Sequence, residues 1–176
     1  VGNSDSKIIF VGHNPIDNEE EDKMPIVRLL SILDNIKSLE TVILMGDDIK
    51  AINNDKIISW DDFIAKGLDV SENDILDRMN TIEGNNTSSL IYTSGTTGNP
   101  KGVELTHNNF KVELDSVGDV LKFAQGDRYV SWLPLAHVFG QLVDNHYWVR
   151  RALHMSVVDS PLNTIDYAKE IQPHLF

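Results

Sequence analysis

The first eighty residues alternate short apolar runs with stretches whose apolar positions recur at helical spacing. Lys7–Val11 and Thr41–Met45 are compact apolar runs bounded by polar residues, which predicts two buried strands. Between them, Pro25 suits the first position of a helix whose apolar side chains share one face. The same pattern predicts an extended stretch over Lys56–Ser59, a helix that runs from a Ser59–Asp62 cap to Gly67, and a helix over Asn73–Met79.

The second half repeats this alternation with clearer boundaries. Leu90–Tyr92 is an apolar strand that runs into a polar loop, Thr93–Gly102, and Thr106 caps a helix whose apolar face extends to Leu121. The pattern then predicts a strand over Arg128–Leu133, a loop over Pro134–Gly140, a helix over Gln141–Arg150, a strand over Leu153–Val158, and a helix that Thr164 caps and that ends near Pro173. Strands that alternate with helices predict an α/β fold with a mostly parallel sheet flanked by helices.

The sequence shows no internal domain boundary. No linker-like stretch divides the 176 residues, so we expect a single domain over residues 1–176. The final strand and helix run to the C-terminus without a closing element, and Val1 stands shortly before a strand pattern. We therefore expect an incomplete domain, excised from a longer chain.

Charge divides the chain unevenly. Residues 1–90 contain 18 acidic and 8 basic side chains, whereas residues 91–176 contain 9 and 7, and the whole chain has a formal net charge of −12. An acidic first half repels a phosphate backbone, which argues against nucleic-acid binding. The nearly neutral second half is the better location for an anionic ligand.

Residue usage excludes several kinds of site. The chain has no cysteine, so disulfides, thiolate catalysis and cysteine-ligated metals are excluded. The six histidines show no pair at zinc-ligand spacing, and we predict no protein-held metal. No apolar run approaches the roughly 20 residues that a membrane span requires.

The loop between Tyr92 and Gly102 carries the clearest chemistry. Gly95 and Gly98 permit sharp turns and a close backbone approach to a ligand, and the free amides of such a loop form an anion-binding concavity. Hydroxyl side chains and the Lys101 ammonium add further donors, a set that suits a polyphosphate. The spacing does not fit the nucleoside-triphosphatase loop, because Pro100 occupies its second glycine position. A hydroxyl-rich surface turn is the alternative interpretation.

The string Tyr-Thr-Ser-Gly-Thr-Thr-Gly-Asn-Pro-Lys-Gly resembles the signature loop of the adenylate-forming superfamily, which includes acyl-CoA synthetases, peptide-synthetase adenylation domains and luciferases. The resemblance implies that the loop surrounds the β- and γ-phosphates of ATP and that Lys101 has a catalytic role. The residues to which it assigns this nucleotide binding are Thr93, Ser94, Gly95, Thr96, Thr97, Gly98 and Lys101.

A second segment, Ser131–Gly140, is similar to the next motif of that superfamily, and its Leu-Pro-Leu-Ala-His string is most similar to long-chain fatty acid–CoA ligases. The resemblance implies that His137 lies near the acyl carboxylate and the adenylate, with a catalytic and substrate-binding role, and that Phe139 lies close to the acyl pocket. A structural histidine after a strand is the alternative for His137.

The resemblance also implies a reaction. A carboxylate attacks the α-phosphate of ATP with Mg²⁺, pyrophosphate leaves, and coenzyme A then displaces AMP. We expect part of the large N-terminal domain of such a ligase, cytoplasmic, with peripheral membrane association of the complete enzyme. The family's aromatic-Gly-x-Thr-Glu segment, its ribose-binding Asp and its C-terminal lid domain with a lysine are absent from these 176 residues, so we expect no activity from them alone. Two alternatives stay open: another class of adenylating enzyme, and a non-catalytic nucleotide- or acyl-binding protein.

Overall fold

A computed structural model describes residues 4–12, 25–46, 52–93 and 100–174. The chain falls into two compact units, Val1–Thr81 and Ile82–Phe176, and each is described by itself. The expectation of a single domain over residues 1–176 stays a prediction. Among the described helices, none is long and apolar enough to cross a membrane.

The first unit is built on a parallel sheet. Strands β1 (Ile8–Gly12), β2 (Thr41–Met45) and β3 (Ile57–Ser59) lie in the order β1-β2-β3, with Val42 of β2 opposite Ile9 on one side and Ile57 on the other. A one-and-a-half-turn helix, α1 (Pro25–Leu30), and a 3-10 turn (Leu33–Asn35) cover one face. The core of this unit contains Val11, Leu29, Leu33, Ile36, Leu39, Val42 and Leu44.

Two capped helices complete the first unit. Helix α2 (Trp60–Gly67) begins where the Ser59 hydroxyl accepts the Asp62 amide, the cap that the sequence predicts, and it contacts β2. Helix α3 (Glu72–Asn80) begins with a capping box, in which Ser71 and Asp74 exchange hydrogen bonds. Neither helix contains a buried residue in this structure.

The second unit combines a hairpin, helices and a short parallel sheet. Strands β4 (Thr87–Thr93) and β5 (Lys101–Thr106) pair antiparallel, and α4 (His107–Val120) follows directly with a capping box between Thr106 and Asn109. Strands β6 (Arg128–Ser131) and β7 (His154–Val157) pair in parallel. Between them lie α5 (Val138–Gly140), a π-helix (Gln141–Tyr147) and α6 (Trp148–Arg151), and α7 (Thr164–Ile171) comes last after a 3-10 turn (Pro161–Asn163).

The core of the second unit lies between β6–β7 and the helices. It is formed by Tyr129, Val143, Tyr147 and Leu153, with Leu114, Val117, Leu121, Phe123, Trp148 and Met155 packed against them. Arg128 at the start of β6 donates to the carbonyls of Ile171 and Gln172, which satisfies the C-terminal end of α7.

The α/β class is confirmed, with two parallel sheets and an antiparallel hairpin. Several local expectations differ from the structure. Thr93 belongs to β4 and residues 101–102 to β5 instead of a loop, residues 132–133 lie beyond the end of β6, residues 138–140 form a helical turn, and residues 141–147 adopt π-helical geometry. Thr164 does not cap the last helix: its hydroxyl donates to the Pro161 carbonyl, and the cap position is Asn163 without a side-chain bond.

Candidate functional site

The β4–β5 hairpin brings two of the predicted nucleotide-binding residues together. Thr93 ends β4 and Lys101 begins β5, and the antiparallel register places them directly opposite each other. Both are exposed, and Lys101 forms no ion pair with another described residue. At this end of the hairpin, neither side chain forms a hydrogen bond or ion pair with another residue that the structure describes. The remaining predicted residues of this loop, Ser94, Gly95, Thr96, Thr97 and Gly98, lie outside the described residues.

Gly102 allows a close contact with Tyr92 in the residue pair next to Thr93 and Lys101. It lies opposite Tyr92 in the hairpin, and a Cβ placed on Gly102 would lie 3.1 Å from the Tyr92 Cζ atom. That distance is tight, but the obstacle is the end of a side chain that is 39% exposed. The glycine therefore lets the tyrosine ring lie over the strand.

Residues 134–140 form a compact turn after β6. The His137 amide donates to the Pro134 carbonyl, and the Gln141 amide donates to the His137 carbonyl. A Cβ on Gly140 would lie 2.6 Å from the Pro134 carbonyl oxygen, a separation that real Cβ atoms do not show. Only glycine fits there, because the obstacle to a Cβ is a main-chain carbonyl that cannot turn aside as a side chain can.

His137 is the N-cap of α5 and has a defined hydrogen-bond role. Its Nδ1 accepts the Phe139 amide at 3.2 Å, and its side chain is exposed. A ring nitrogen that accepts a hydrogen bond carries no proton, so the neutral imidazole holds its proton on Nε2. The exposed Nε2–H group is therefore a donor available to an anionic ligand.

An open pocket of about 600 Å³ lies beside this turn. Phe139, Val138 and Leu142 contribute apolar walls on one side, and α4 contributes Phe110 and Val112 on the other. The full lining consists of Glu104, Leu105, Asn109, Phe110, Val112, Glu113, Val138, Phe139 and Leu142. Phe139, predicted to lie close to an acyl pocket, thus borders an apolar pocket in the structure.

Behind the turn, the π-helix buries a carboxylate that the sequence did not reveal. Asp144 is 2% exposed and accepts hydrogen bonds from the Tyr129 and Ser131 hydroxyls of β6. Burial and the bond to Asp144 raise the pKa of Tyr129 well above its ordinary value, so it stays a donor. These bonds attach the π-helix to the strand that leads into the turn.

The sequence analysis also did not predict a second hydrogen bond, which joins β4 to the π-helix. The Ser89 hydroxyl of β4 donates to the Gln141 amide oxygen at 2.9 Å, across 52 residues of sequence. Both side chains are half-buried. The bond joins the strand that ends at Thr93 to the residue that follows Gly140. A sequence separation of this size leaves no local signal from which the pair could have been found.

Comparison with known families assigns the chain. The family described as AMP-binding enzyme matches residues 1–176, which is the full length. The chain belongs to the AMP-binding enzyme family. This confirms the resemblance based on the loop that contains Thr93 and Lys101 and on the segment that contains His137.

Relatives of this AMP-binding chain carry a consistent description. It is 31% identical over 163 residues to the Homo sapiens long-chain-fatty-acid–CoA ligase ACSBG2, a match that covers 89% of this chain and 24% of the human protein. It is 34% identical over 124 residues to the Arabidopsis thaliana long chain acyl-CoA synthetase 1, which covers 67% of this chain and 18% of that protein. The chain thus spans about a quarter or less of the length of these relatives.

Solved structures agree on the fold. The anthranilate CoA ligase AuaEII in complex with anthranoyl-AMP superposes with a TM-score of 0.67 at 20% identity, over 96% of this chain and 30% of that one. The mixed α/β arrangement of parallel strands and helices is that of the N-terminal domain of adenylate-forming enzymes.

Proposed function

We propose that this AMP-binding chain is the phosphate-holding part of a long-chain fatty acid–CoA ligase. The observation that carries the proposal is that Thr93 and Lys101 lie opposite each other in one hairpin, both with exposed side chains. The names of the human and Arabidopsis relatives support the substrate class. The complete protein activates a fatty acid with ATP to the acyl-adenylate and transfers the acyl group to coenzyme A.

In this proposal the loop between the two strands holds the β- and γ-phosphates of ATP. Negative charge builds up on the departing pyrophosphate, and the Lys101 ammonium stabilises that charge where it develops. Because Lys101 is fixed at its backbone by pairing with Thr93, little reorganisation is required when the α-phosphate bond breaks. We assign nucleotide binding to Thr93, Ser94, Gly95, Thr96, Thr97, Gly98 and Lys101.

The magnesium ion fits this scheme as a partner of the nucleotide. Among the described residues, no three His, Asp or Glu side chains come together as a ligand set for a metal. We propose that the ion enters the site together with the nucleotide. When bound, it shares the negative charge of the triphosphate.

His137 is the proposed contact to the acyl carboxylate. Its Nδ1 is occupied by the Phe139 amide, so the free Nε2–H group is the one that donates to a carboxylate or adenylate oxygen. Phe139 then borders the pocket that accepts the first part of the acyl chain. The proposed carboxylate and its chain are thus held by neighbouring residues of one turn.

The test uses the complete protein encoded by the reading frame that contains these residues. Purified with ATP, Mg²⁺, palmitate and coenzyme A, it should release pyrophosphate and form palmitoyl-CoA. Lys101→Ala should slow pyrophosphate release by about 100-fold, the usual cost of a lost transition-state donor, while the matched exposed variant Lys66→Ala retains the rate. Equal rates for the two variants would overturn the assignment of Lys101.

A polypeptide of these 176 residues alone should be inactive, because it lacks the family's threonine–glutamate segment and lid lysine. The same pyrophosphate assay on the short polypeptide checks this, and clear turnover would contradict it. We also propose a cytoplasmic location, with peripheral membrane association of the complete enzyme. Fractionation of cells that express a tagged complete protein would test that location.

A further inference from the structure

The π-helix Gln141–Tyr147 has an unusual position. It begins immediately after Gly140, so it continues the turn that contains His137 and Phe139. A π-helical segment is rare in proteins and is frequently found at functional sites. The extra residue in its turn rotates the side chains that follow, and here both Gln141 and Asp144 reach neighbouring strands.

The π-helix is attached to two different strands. Asp144 accepts the Ser131 hydroxyl at 2.7 Å, which fixes the helix to β6, the strand that precedes the turn. Gln141 accepts the Ser89 hydroxyl at 2.9 Å, which fixes it to β4, the strand that ends at Thr93. One short element therefore contacts the strands that lead to both halves of the proposed site.

A β-bulge helps to aim the Ser89 side chain. In the hairpin, Thr87 lies opposite Thr106 and Ser89 lies opposite Leu105, so Ser88 is an extra residue on β4. Bulges turn a neighbouring side chain away from its regular direction and are common beside active sites. The irregularity is placed directly before the serine that bonds to Gln141.

We propose that Ser89 and Gln141 are positioning residues, which set the placement of the His137 turn relative to the Thr93–Lys101 end of the hairpin. This inference rests on the proposed ligase function, in which the carboxylate and the triphosphate must meet in line. Neither residue belongs to the hydrophobic core of the second unit, which is formed around Tyr129 and Tyr147. A hydrogen bond has a fixed direction that apolar packing lacks, so the pair specifies geometry rather than adding burial.

The effect should fall on the chemical step. Misplacement of reacting groups by about 1 Å can reduce a rate by about 100-fold even when the change is remote from the reaction. Loss of one neutral hydrogen bond represents a smaller change, about fivefold. We expect Ser89→Ala and Gln141→Met to lower kcat for adenylation about five- to tenfold. The KM for ATP should change less than about twofold, because no contact to the nucleotide is removed.

The experiment measures ATP–pyrophosphate exchange by the complete protein with palmitate. Ser88→Ala, which alters the exposed bulge residue next to Ser89, and Asn145→Leu, which alters an exposed residue of the π-helix, are the matched controls. The double variant Ser89→Ala/Gln141→Met should be no slower than either single variant, since both remove the same bond. Ser89→Thr and Gln141→Glu retain a hydroxyl donor and an oxygen acceptor and should restore most of the rate.

The outcomes separate the two proposals. If the wild-type protein has no ligase activity, both the proposed function and the positioning role are overturned. If the wild type is active, two results would overturn the positioning role alone. One is an exchange rate of Ser89→Ala equal to that of Ser88→Ala. The other is a double variant whose rate loss is the product of the two single losses. Thermal unfolding accompanies each assay. A rate loss that tracks the loss of folded protein at the assay temperature, with no rescue by Ser89→Thr or Gln141→Glu, would show a merely structural bond and would also overturn it.

Discussion

The hairpin end and the turn at residues 134–140 carry the two halves of the proposed site, and they are held in contrasting ways. Main-chain pairing places Thr93 opposite Lys101, and both side chains are exposed. Close packing places the turn, where Gly140 lies against the Pro134 carbonyl and the buried Asp144 anchors the helix behind it. The hairpin end is therefore fixed by the backbone ladder, and the turn by specific residue identities.

This difference has a consequence for substitution. Side chains at the hairpin end can change without loss of folding, because the ladder does not depend on them. Gly140 and the buried Asp144 cannot, because the first lies against the Pro134 carbonyl and the second holds the Tyr129 and Ser131 hydroxyls. Substitutions at the hairpin end should therefore lower activity with little loss of stability, whereas substitutions that disturb the turn should lower stability.

The largest effect on stability should come from Asp144→Ala. The change leaves the buried Tyr129 and Ser131 hydroxyls without their acceptor, at about 1–3 kcal/mol each, and we expect a loss of about 3 kcal/mol in the free energy of unfolding. Urea denaturation followed by circular dichroism measures it. Asp119→Ala, at an exposed position of α4, is the control. Equal unfolding midpoints for the two variants would show that the buried bonds contribute little.

Gly140→Ala should have the next largest effect. Its added Cβ meets the Pro134 carbonyl oxygen at 2.6 Å, and relief requires the main chain to move. Overpacking of this kind costs about 1–3 kcal/mol. The control is Gly67→Ala at the end of α2, where nothing lies within 4 Å of the new Cβ. That variant should be neutral or slightly stabilised, and an equally stable Gly140→Ala would contradict the close-packing account.

Gly102→Ala is the matched change in the hairpin, with a smaller expected effect. The new Cβ meets the ring of Tyr92, which is partly exposed and can turn away. Alanine also reduces the conformational entropy of the unfolded chain, which stabilises the folded protein by about 0.4–1 kcal/mol. The two effects oppose each other, so we expect the free energy of unfolding to stay within about 0.5 kcal/mol of the wild type. Urea denaturation of Gly102→Ala and Gly140→Ala measures both free energies of unfolding. Similar large losses in the two variants would contradict the difference between the hairpin and the turn.

A pH effect at His146 should be the smallest. Burial, and then the charge of His107, lower the pKa of His146, which packs against Phe110 at 4.7 Å between ring centroids. The unfolded histidine takes up a proton near pH 6.5, whereas the folded one does so only at lower pH. Stability should thus decrease as the pH falls below about 6.5 and be unaffected above it.

His146→Phe keeps a ring beside Phe110 and removes the titrating group. Thermal unfolding between pH 5 and pH 7.5 should show a shallower decline for this variant than for the wild type. The same decline in both proteins would mean that the pH response arises elsewhere.

Local patterns in the sequence predicted much of the fold. Strand β2 was placed at its observed bounds, and the caps Ser59 and Thr106 begin helices as expected, because their bonds reach only three residues along the chain. Strand β5 was missed because Lys101 and Gly102 at its start are poor strand formers and are ordered by pairing with β4. Thr164 looked like a cap, but Ser160 begins the turn before it and the Thr164 hydroxyl is used at Pro161.

The sequence allowed a site to be proposed, but not the contacts that support it. The residue types around Lys101 favour phosphate binding and the family resemblance implies a carboxylate contact for His137, and both stay predictions. The π-helix was not distinguished from an α-helix, because both place apolar residues at similar spacing. The bond from Ser89 to Gln141 and the burial of Asp144 depend on which strand each helix contacts, and no local pattern encodes that.

The central strand of the first unit makes that unit's stability directly measurable. Strand β2 is hydrogen-bonded to a neighbour on each side, and Val42 and Ile43 are fully inaccessible to solvent on its opposite faces. Their amide protons can reach water only when the unit opens as a whole. The deuterium exchange rates of these two amides, read by nuclear magnetic resonance, would therefore give its unfolding equilibrium without any denaturant.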